Sequence, residues 1–555
     1  MPDDTNAADT HTPGGDGASA EGDEPRGREA AVLAARRESL DRLRDAGMEP
    51  FALSLRATLG TTEPTPTTAI RAEFGSLEPD ALTSHRRTVA GRVVRKRDMG
   101  KLKFLVVRDG WGDLQLVCNE DTARAGLLDD VDLGDIVGAT GRIGTTRRGE
   151  LSLFVENWTM LTKALRPLPE KWHGLKDPDL QQRRRYLHLI TDEEPRRHVV
   201  ARAAVLKTIR RVLDAQGYTE VEGPMLQTVA GGAMARPFET FHHALGVPMK
   251  LRISLELYLK RIVIGGFDRV YELGRNFRNE GIDRDHNPEF TMLEAYRAWV
   301  DYDAMMELSE TLIVECARAV NAILDRVPDD LTIPVRGQQV DLTPPFRRLT
   351  VLDAVSEATG EEITLERDDL RRIAERHDVA LHDAWGPGKV VQEMFEKLVE
   401  ETIVQPTFVC DFPREVSPLA RPHRANPGLT EHFDLVAGGI ELVTAFSELT
   451  DPIEQRAKFE QQQELKEAYG GEIHPLDEEF LRALEHGMPP LGGLGLGIDR
   501  LLLLLTDAPS LRDLIMFPAA RPEIMFPTTR PEIRSPAARP ERATSDDDPD
   551  DVAQE

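Results

Sequence analysis

RVYELGRNFRNEGIDRDHNPEFTMLEAYRAWVDY, residues 269–302, decides the fold of this chain. It reads as two apolar strands joined by a long loop rich in Arg, Asn, Asp and Gly. Side chains on a strand alternate with period two, so Phe290, Met292, Glu294 and Tyr296 point to one face. A carboxylate and a phenol beside an apolar floor suit an ammonium on a methylene stem. Burying Glu294 without a cation is costly. Two readings follow: a ligand amine satisfies it, or an internal Arg does so as part of the scaffold.

Three further segments lie outward from this hairpin. HFDLVAGGIELVTAFSEL (432–449) sets Gly438 and Gly439 between two alternating runs, a hairpin turn. That turn brings Asp434 and Glu441 to neighbouring strands. Paired carboxylates predict a Mg²⁺ site, because hard oxygens suit a hard cation. Phe446 and Glu448 share a face, and Glu448 is a second candidate for an ammonium. Strict alternation puts Glu441 and Glu448 on opposite faces, so both serve one site only if the strand bulges or twists between them. GLGLGIDRLLLLL (493–505) is a glycine-rich strand able to lie close to a nucleotide, with Arg500 opening the next helix. Upstream, AQGYTEVEGPML (215–226) reads as a helix end, a strand and then Pro224.

The rest of the 555 residues fall around this centre, enough for about three or four domains. Residues 1–28 are acidic and Pro/Gly-rich and predict disorder. Residues 29–84 open with a helix that Gly47 stops. Residues 85–165 carry short alternating strands broken by Gly turns, which predict a small β-barrel. Residues 166–195 read as a basic linker, and 196–520 as an α+β domain on a mostly antiparallel sheet. The nonapeptide repeat IMFPAARPE, IMFPTTRPE, IRSPAARPE begins at Ile515. Proline recurs in it too often for a helix or a central strand, so 521–555 read as an extended tail.

The net charge of −27 speaks against nucleic acid, but binding depends on the local field. Residues 85–108 hold nine Lys/Arg against one acid, Asp98, which reads either as a binding stripe or as a solvated charged face. No apolar run approaches the length that spans a bilayer. Three distant cysteines without metal spacing argue for a reducing cytoplasm and against a zinc site or disulfide framework.

Taken together, NFRNEG with HNPEF, GLGLGIDR, and their order after the Pro224 segment resemble the class II aminoacyl-tRNA synthetases. GGAMARPF (231–238) and ISLELYLKR (253–261) narrow the resemblance to the lysine-specific, bacterial-type members of class IIb, over about residues 30–520. It implies a catalytic domain on an antiparallel sheet flanked by helices, and an OB-fold anticodon-binding barrel before it. It implies that Arg278 holds the lysine carboxylate and the ATP α-phosphate together, and that Arg500 clamps the γ-phosphate. Glu280 and Phe290 would hold the adenine, and His286 would reach the phosphates. Asp434 and Glu441 would bind Mg²⁺. Gly232, Glu256, Glu294, Tyr296, Thr444, Phe446 and Glu448 would contact lysine, Glu256 through the α-amino group. Phe104, Gln115 and Glu150 would read the anticodon, and Pro224 would lie in a homodimer interface. Substrates would be ATP, L-lysine and tRNA(Lys), in the cytoplasm with no membrane partner.

Three positions depart from the family pattern. Val443-Thr444 stands where a small residue and Asn are usual, Asp434 where Glu is frequent, and His188 where Asp is usual. They keep open two alternatives: an accessory paralogue with another acceptor, and a non-catalytic tRNA-binding protein.

Overall fold

Five strands, Leu82–Met99 (β1), Leu102–Arg108 (β2), Asp113–Asn119 (β3), Ile136–Thr145 (β4) and Leu151–Thr162 (β5), close into a barrel in the order β1-β2-β3-β5-β4. The long β1 serves two sides. Arg86–Arg92 pair with β4, Arg92–Met99 pair with β2, and the register shifts between Val93 and Arg95 where the strand turns the corner. Alternation fills the interior: Leu105, Val107, Leu114 and Leu116 are buried, while Phe104, Val106 and Gln115 take the outward positions. The helix Arg28–Asp45 adds Leu43 to this core, and the helix Thr67–Phe74 adds Ile70 and Phe74.

The computed structural model describes residues 28–110, 112–125, 128–169, 175–469 and 474–520. Apart from Arg28, the readings made for 1–28 and 521–555 fall outside them. The chain divides into two compact units, residues 1–196 and 197–555.

One expectation changes. The stretch read as a linker contains two short helices, Pro178–Arg183 and Arg185–Thr191. The first starts where it does because the Asp177 side chain accepts from Asp179 N and Pro178 occupies the first turn, where no backbone donor is needed.

In the second unit the helix Glu194–Ala215 leads through Gly217 into Thr219–Glu220 (β6). Leu226–Gln227 (β7), Glu239–His242 (β8) and Val247–Leu251 (β9) form a small sheet. Arg269–Phe277 (β10) and Glu289–Ala298 (β11) are the predicted strand pair. Thr332–Val335 (β12) and Gln338–Asp341 (β13) pair by themselves, and Arg347–Thr350 (β14), Thr407–Cys410 (β15), His432–Ala437 (β16), Ile440–Ser447 (β17) and Leu491–Gly497 (β18) complete the set. The main sheet runs β14-β15-β16-β17-β18-β11-β10-β6, antiparallel except at its two outer pairings. One face packs on the helices Tyr302–Ile323 and Ile498–Thr506. Leu501 to Leu505 are all buried, as a helix apolar on every side requires. Ile515, in the first repeat copy, joins this core. The opposite face is left for polar side chains.

Among the described residues no helix is long and apolar enough to cross a membrane. Cys118, Cys316 and Cys410 are buried and form no disulfide, and burial pushes each thiol up to about 12.

Candidate active site

The open face of the sheet gathers the site because β18 keeps it clear. Its face-pointing residues are Gly493, Gly495 and Gly497. Across the strands, Glu294, Gly495, Thr444 and Asp434 fall in one row, and Tyr296, Gly493, Phe446 and His432 in the next. The flanking strands therefore converge over a glycine trough, and a cavity of about 350 Å³ opens there. The hairpin turn forms as expected, with φ of 60° and 66° at Gly438 and Gly439, values that favour glycine. The condition set for β17 is also met. Leu435 pairs with Val443 but Val436 with Glu441, so Leu442 is an extra residue in the strand. This bulge returns Glu441 to the face of Thr444, Phe446 and Glu448, and all four line the cavity.

At the deep end, Glu294 is 3% exposed and, among the described residues, forms no ion pair. Ser254 Oγ and Leu255 N donate to its Oε1, each at 2.9 Å, and Tyr296 OH donates to its Oε2 at 3.0 Å. Burial, with help from nearby Glu256, raises its pKa to about 7 against these three donors. Among the described residues no internal Arg pairs with Glu294. An internal cation does appear elsewhere: Lys260 Nζ lies 2.5 Å from Glu256 Oε1 and 2.5 Å from Glu448 Oε2. Lys260 thus bridges the two carboxylates. Gly232, at the cavity edge, backs onto Ser254 and Glu256.

At the outer end, Arg278 follows β10 with its guanidinium 5.1 Å over the Phe290 ring. Its Nε is buried without a partner, and among the described residues no carboxylate oxygen lies within 4 Å of the guanidinium. Burial lowers its pKa, and Glu280 and Glu441 offset this in part. Arg500 donates to Glu441 O at 3.1 Å and lies 3.3 Å from Glu441 Oε2, which raises its pKa. His286 faces Arg500 Nη2 at 3.5 Å and bonds Asp283 at 2.9 Å, and Glu280 sits exposed in the same loop. Thr444 Oγ1 donates to Asp434 Oδ1 at 2.7 Å and lies 3.3 Å from Glu441 Oε1. Two carboxylates on one face fit part of the shell of a hard divalent cation, and phosphate oxygens would have to supply the rest. Among the described residues there is no protein-only cluster of three or more such ligands.

Residues 177–521 match the family model of the class II tRNA synthetases (D, K and N). The chain belongs to this family. In this synthetase, residues 88–161 also match an OB-fold nucleic acid binding domain, the closed barrel described above. Lysine–tRNA ligase of Moorella thermoacetica is 45% identical over 88% of the chain and 97% of the relative. Those of Thermosynechococcus vestitus and Bacillus subtilis are 46% and 42% identical, over 88% of the chain and 96% of each relative.

The barrel of the synthetase presents Phe104 half-buried on its outer surface, opposite Arg97 on β1, with Arg95 beside it. Gln115 is a diagonal neighbour on β3 and donates to Ser152 Oγ at 2.9 Å. Glu150 is exposed, 4.0 Å from Arg71. Pro224 is also exposed, beside Met225 and Leu226. A buried pair, Arg252 and Glu272, 2.6 Å apart, ties this segment to β10: Gly223 N donates to Glu272, and Arg252 N donates to Met225 O.

Sequence reading missed Lys260, Ser254, Arg252 and His474. Lys260 was findable, since it follows Glu256 by four positions on a helix, the spacing of a facing ion pair. His474 was not, because a long helix, Pro452–Tyr469, separates it from β17 in the chain.

Proposed function

We propose that this synthetase is a lysine–tRNA ligase. One observation carries the reading: a single cavity holds at one end a guanidinium, Arg278, with a buried unpartnered Nε, and at the other a buried carboxylate, Glu294, that neutral donors hold and that no cation pairs with among the described residues. An amino acid with a carboxylate at one end and an amine at the far end of its side chain satisfies both. Arg278 would hold the lysine carboxylate against the α-phosphate of ATP, cancelling the repulsion between two anions. Attack by the carboxylate oxygen forms the bond to phosphorus while the bond to pyrophosphate breaks, giving lysyl-adenylate. A terminal ribose hydroxyl of tRNA(Lys) then attacks the carbonyl carbon, and AMP leaves. Phe290 and Glu280 would hold the adenine, with His286 and Arg500 on the phosphates. Mg²⁺, held by Asp434 and Glu441 with phosphate oxygens, would neutralise triphosphate charge. Gly232, Glu256, Thr444, Phe446 and Glu448 would complete the lysine pocket. The test is lysine-dependent ATP–pyrophosphate exchange followed by charging of lysine tRNA. Exchange with no amino acid rejects the reading.

The Glu294 pKa gives this proposal a pH signature. Its carboxyl sits at about 7, above the ordinary value, so at lower pH it is protonated and offers an ammonium no charge. Lysine should therefore bind more tightly as pH rises from about 6 to about 8, by up to about tenfold per unit, with proton release seen by calorimetry. A flat profile removes Glu294 from the role.

For the barrel, we infer anticodon binding by Phe104, Gln115 and Glu150, supported by a half-buried, outward-facing aromatic beside two arginines of the neighbouring strand, a pattern suited to stacking single-stranded bases. Phe104→Ala should weaken tRNA binding by about 1–3 kcal/mol and leave exchange untouched. Unchanged tRNA KM would exclude the platform. The exposed apolar run at Pro224 to Leu226 supports a homodimer, and ATP and tRNA as substrates, with buried reduced thiols, support work in the cytoplasm.

A further inference from the structure

Lys260 has no part in the scheme above, yet it is a fully enclosed charge directly behind the pocket residues Glu256 and Glu448. Its side chain is wholly out of solvent, and its Nζ touches carboxylates from two elements, Glu256 on its own helix and Glu448 just beyond β17. The Tyr296 and Phe480 rings lie 6.0 Å away on either account. Burial opposes the ammonium, but the two carboxylates outweigh it and its pKa is raised, so Lys260 stays charged. A buried cation with two buried anions is not built for stability alone, because apolar groups of the same volume usually serve as well.

The other groups facing this centre can be counted. From β11 come Glu294 and Tyr296, whose phenol burial holds neutral. From the segment before the helix Glu478–Leu484 comes His474, which burial lowers to about 4 and which is therefore neutral. Arg278 supplies a second cation from the loop after β10. Glu441 is paired with Arg500 and Glu280 is exposed, so the count that matters is Glu256, Glu294 and Glu448 against Lys260 and Arg278: when all five are ionised, these groups leave one negative charge out of balance. Free lysine carries one net positive charge; a neutral amino acid carries none, and an acidic one deepens the imbalance.

We propose that Lys260 is a specificity-determining residue that sets this imbalance at one unit: by tying Glu256 to Glu448, it leaves Glu294 as the single carboxylate that needs a cation from the substrate. This rests on the lysine reading of the site. Without Lys260, Glu256 and Glu448 would face each other across a buried space and hold a shared proton. Lysine binding would then have to expel that proton as well.

The experiment is the pH dependence of kcat/KM for lysine in ATP–pyrophosphate exchange, using the full chain. Lys260→Met should raise the lysine KM at neutral pH at least about tenfold and move the pH midpoint up by about one unit. The double variant Lys260→Met with Glu256→Gln removes one charge of each sign. It should return the midpoint to the wild-type position while KM stays high, because a lysine contact is lost. The double variant leaves no extra buried anion, so it remains informative if the single variant does not fold. A single variant that loses kcat and thermal stability with its midpoint unmoved, or a double variant with a shifted midpoint, overturns the proposal. Wild-type protein without lysine-dependent exchange overturns the lysine reading instead.

Discussion

Arg278→Ala should lower lysine-dependent ATP–pyrophosphate exchange by about 10³-fold or more, the scale of removing a cation that stabilises a transferring phosphoryl group. The reason lies in what Arg278 does not do. Most arginines of the second unit are spent on carboxylates: Arg210 on Glu220, Arg252 on Glu272, Arg424 on Glu431, Arg456 on Glu478. Arg278 is largely buried, rests on Phe290, and keeps Nε without a partner. A buried guanidinium cannot shed its proton, so it carries a desolvation cost that a substrate anion would relieve. Removing it should leave folding stability unchanged or slightly higher while activity collapses. Arg278→Lys keeps charge but loses the planar fork, and should recover only a small part of the rate. Exchange within about tenfold of wild type in the alanine variant would show that another group joins the two anions.

How much of this was legible before the structure depends on distance along the chain. The β10–β11 hairpin and the face shared by Glu294 and Tyr296 follow from period two alone, and the structure has them as read. The bulge at Leu442 was legible only as a condition, because local pattern cannot say which residue of β17 goes unpaired. Lys260 went unread although its spacing from Glu256 was visible, since nothing in sequence says that Glu448 closes on it from β17. The departures at Asp434 and Thr444 looked like two separate losses. They are cross-strand partners, and the threonine hydroxyl donates to the shorter carboxylate at 2.7 Å. A paired substitution that keeps both groups hydrogen-bonded keeps the Asp434 and Glu441 carboxylates on one face, which weakens the case for a decayed site. His188, the third departure, lies 3.2 Å from Arg185 in the first unit.

Gly493→Ala should raise the KM for lysine about 10- to 100-fold, matching the 1–3 kcal/mol that overpacking costs a filled site. A Cβ at this position would overlap Glu448 Oε1 and stand 2.5 Å from Tyr296 Cε1. Neither neighbour can withdraw cheaply. Tyr296 is 3% exposed with its hydroxyl held on Glu294, and Glu448 is 2% exposed and paired with Lys260. The methyl group must therefore push Glu448 off Lys260 or tilt the phenol off Glu294, and either movement spoils the lysine end of the cavity. Gly495→Ala is the matched control, two residues along the same strand. Its Cβ would meet Met292 Cε at 2.7 Å, the far end of a flexible side chain that can swing away. That variant should change the lysine KM several-fold less. ATP binding should survive in both, because Arg278, Phe290 and Arg500 stand at the other end of the trough. Equal effects from the two substitutions would mean that the glycines serve the strand's backbone rather than the amino-acid pocket. A wild-type lysine KM in Gly493→Ala would move the lysine side chain away from Glu448 and Tyr296 altogether.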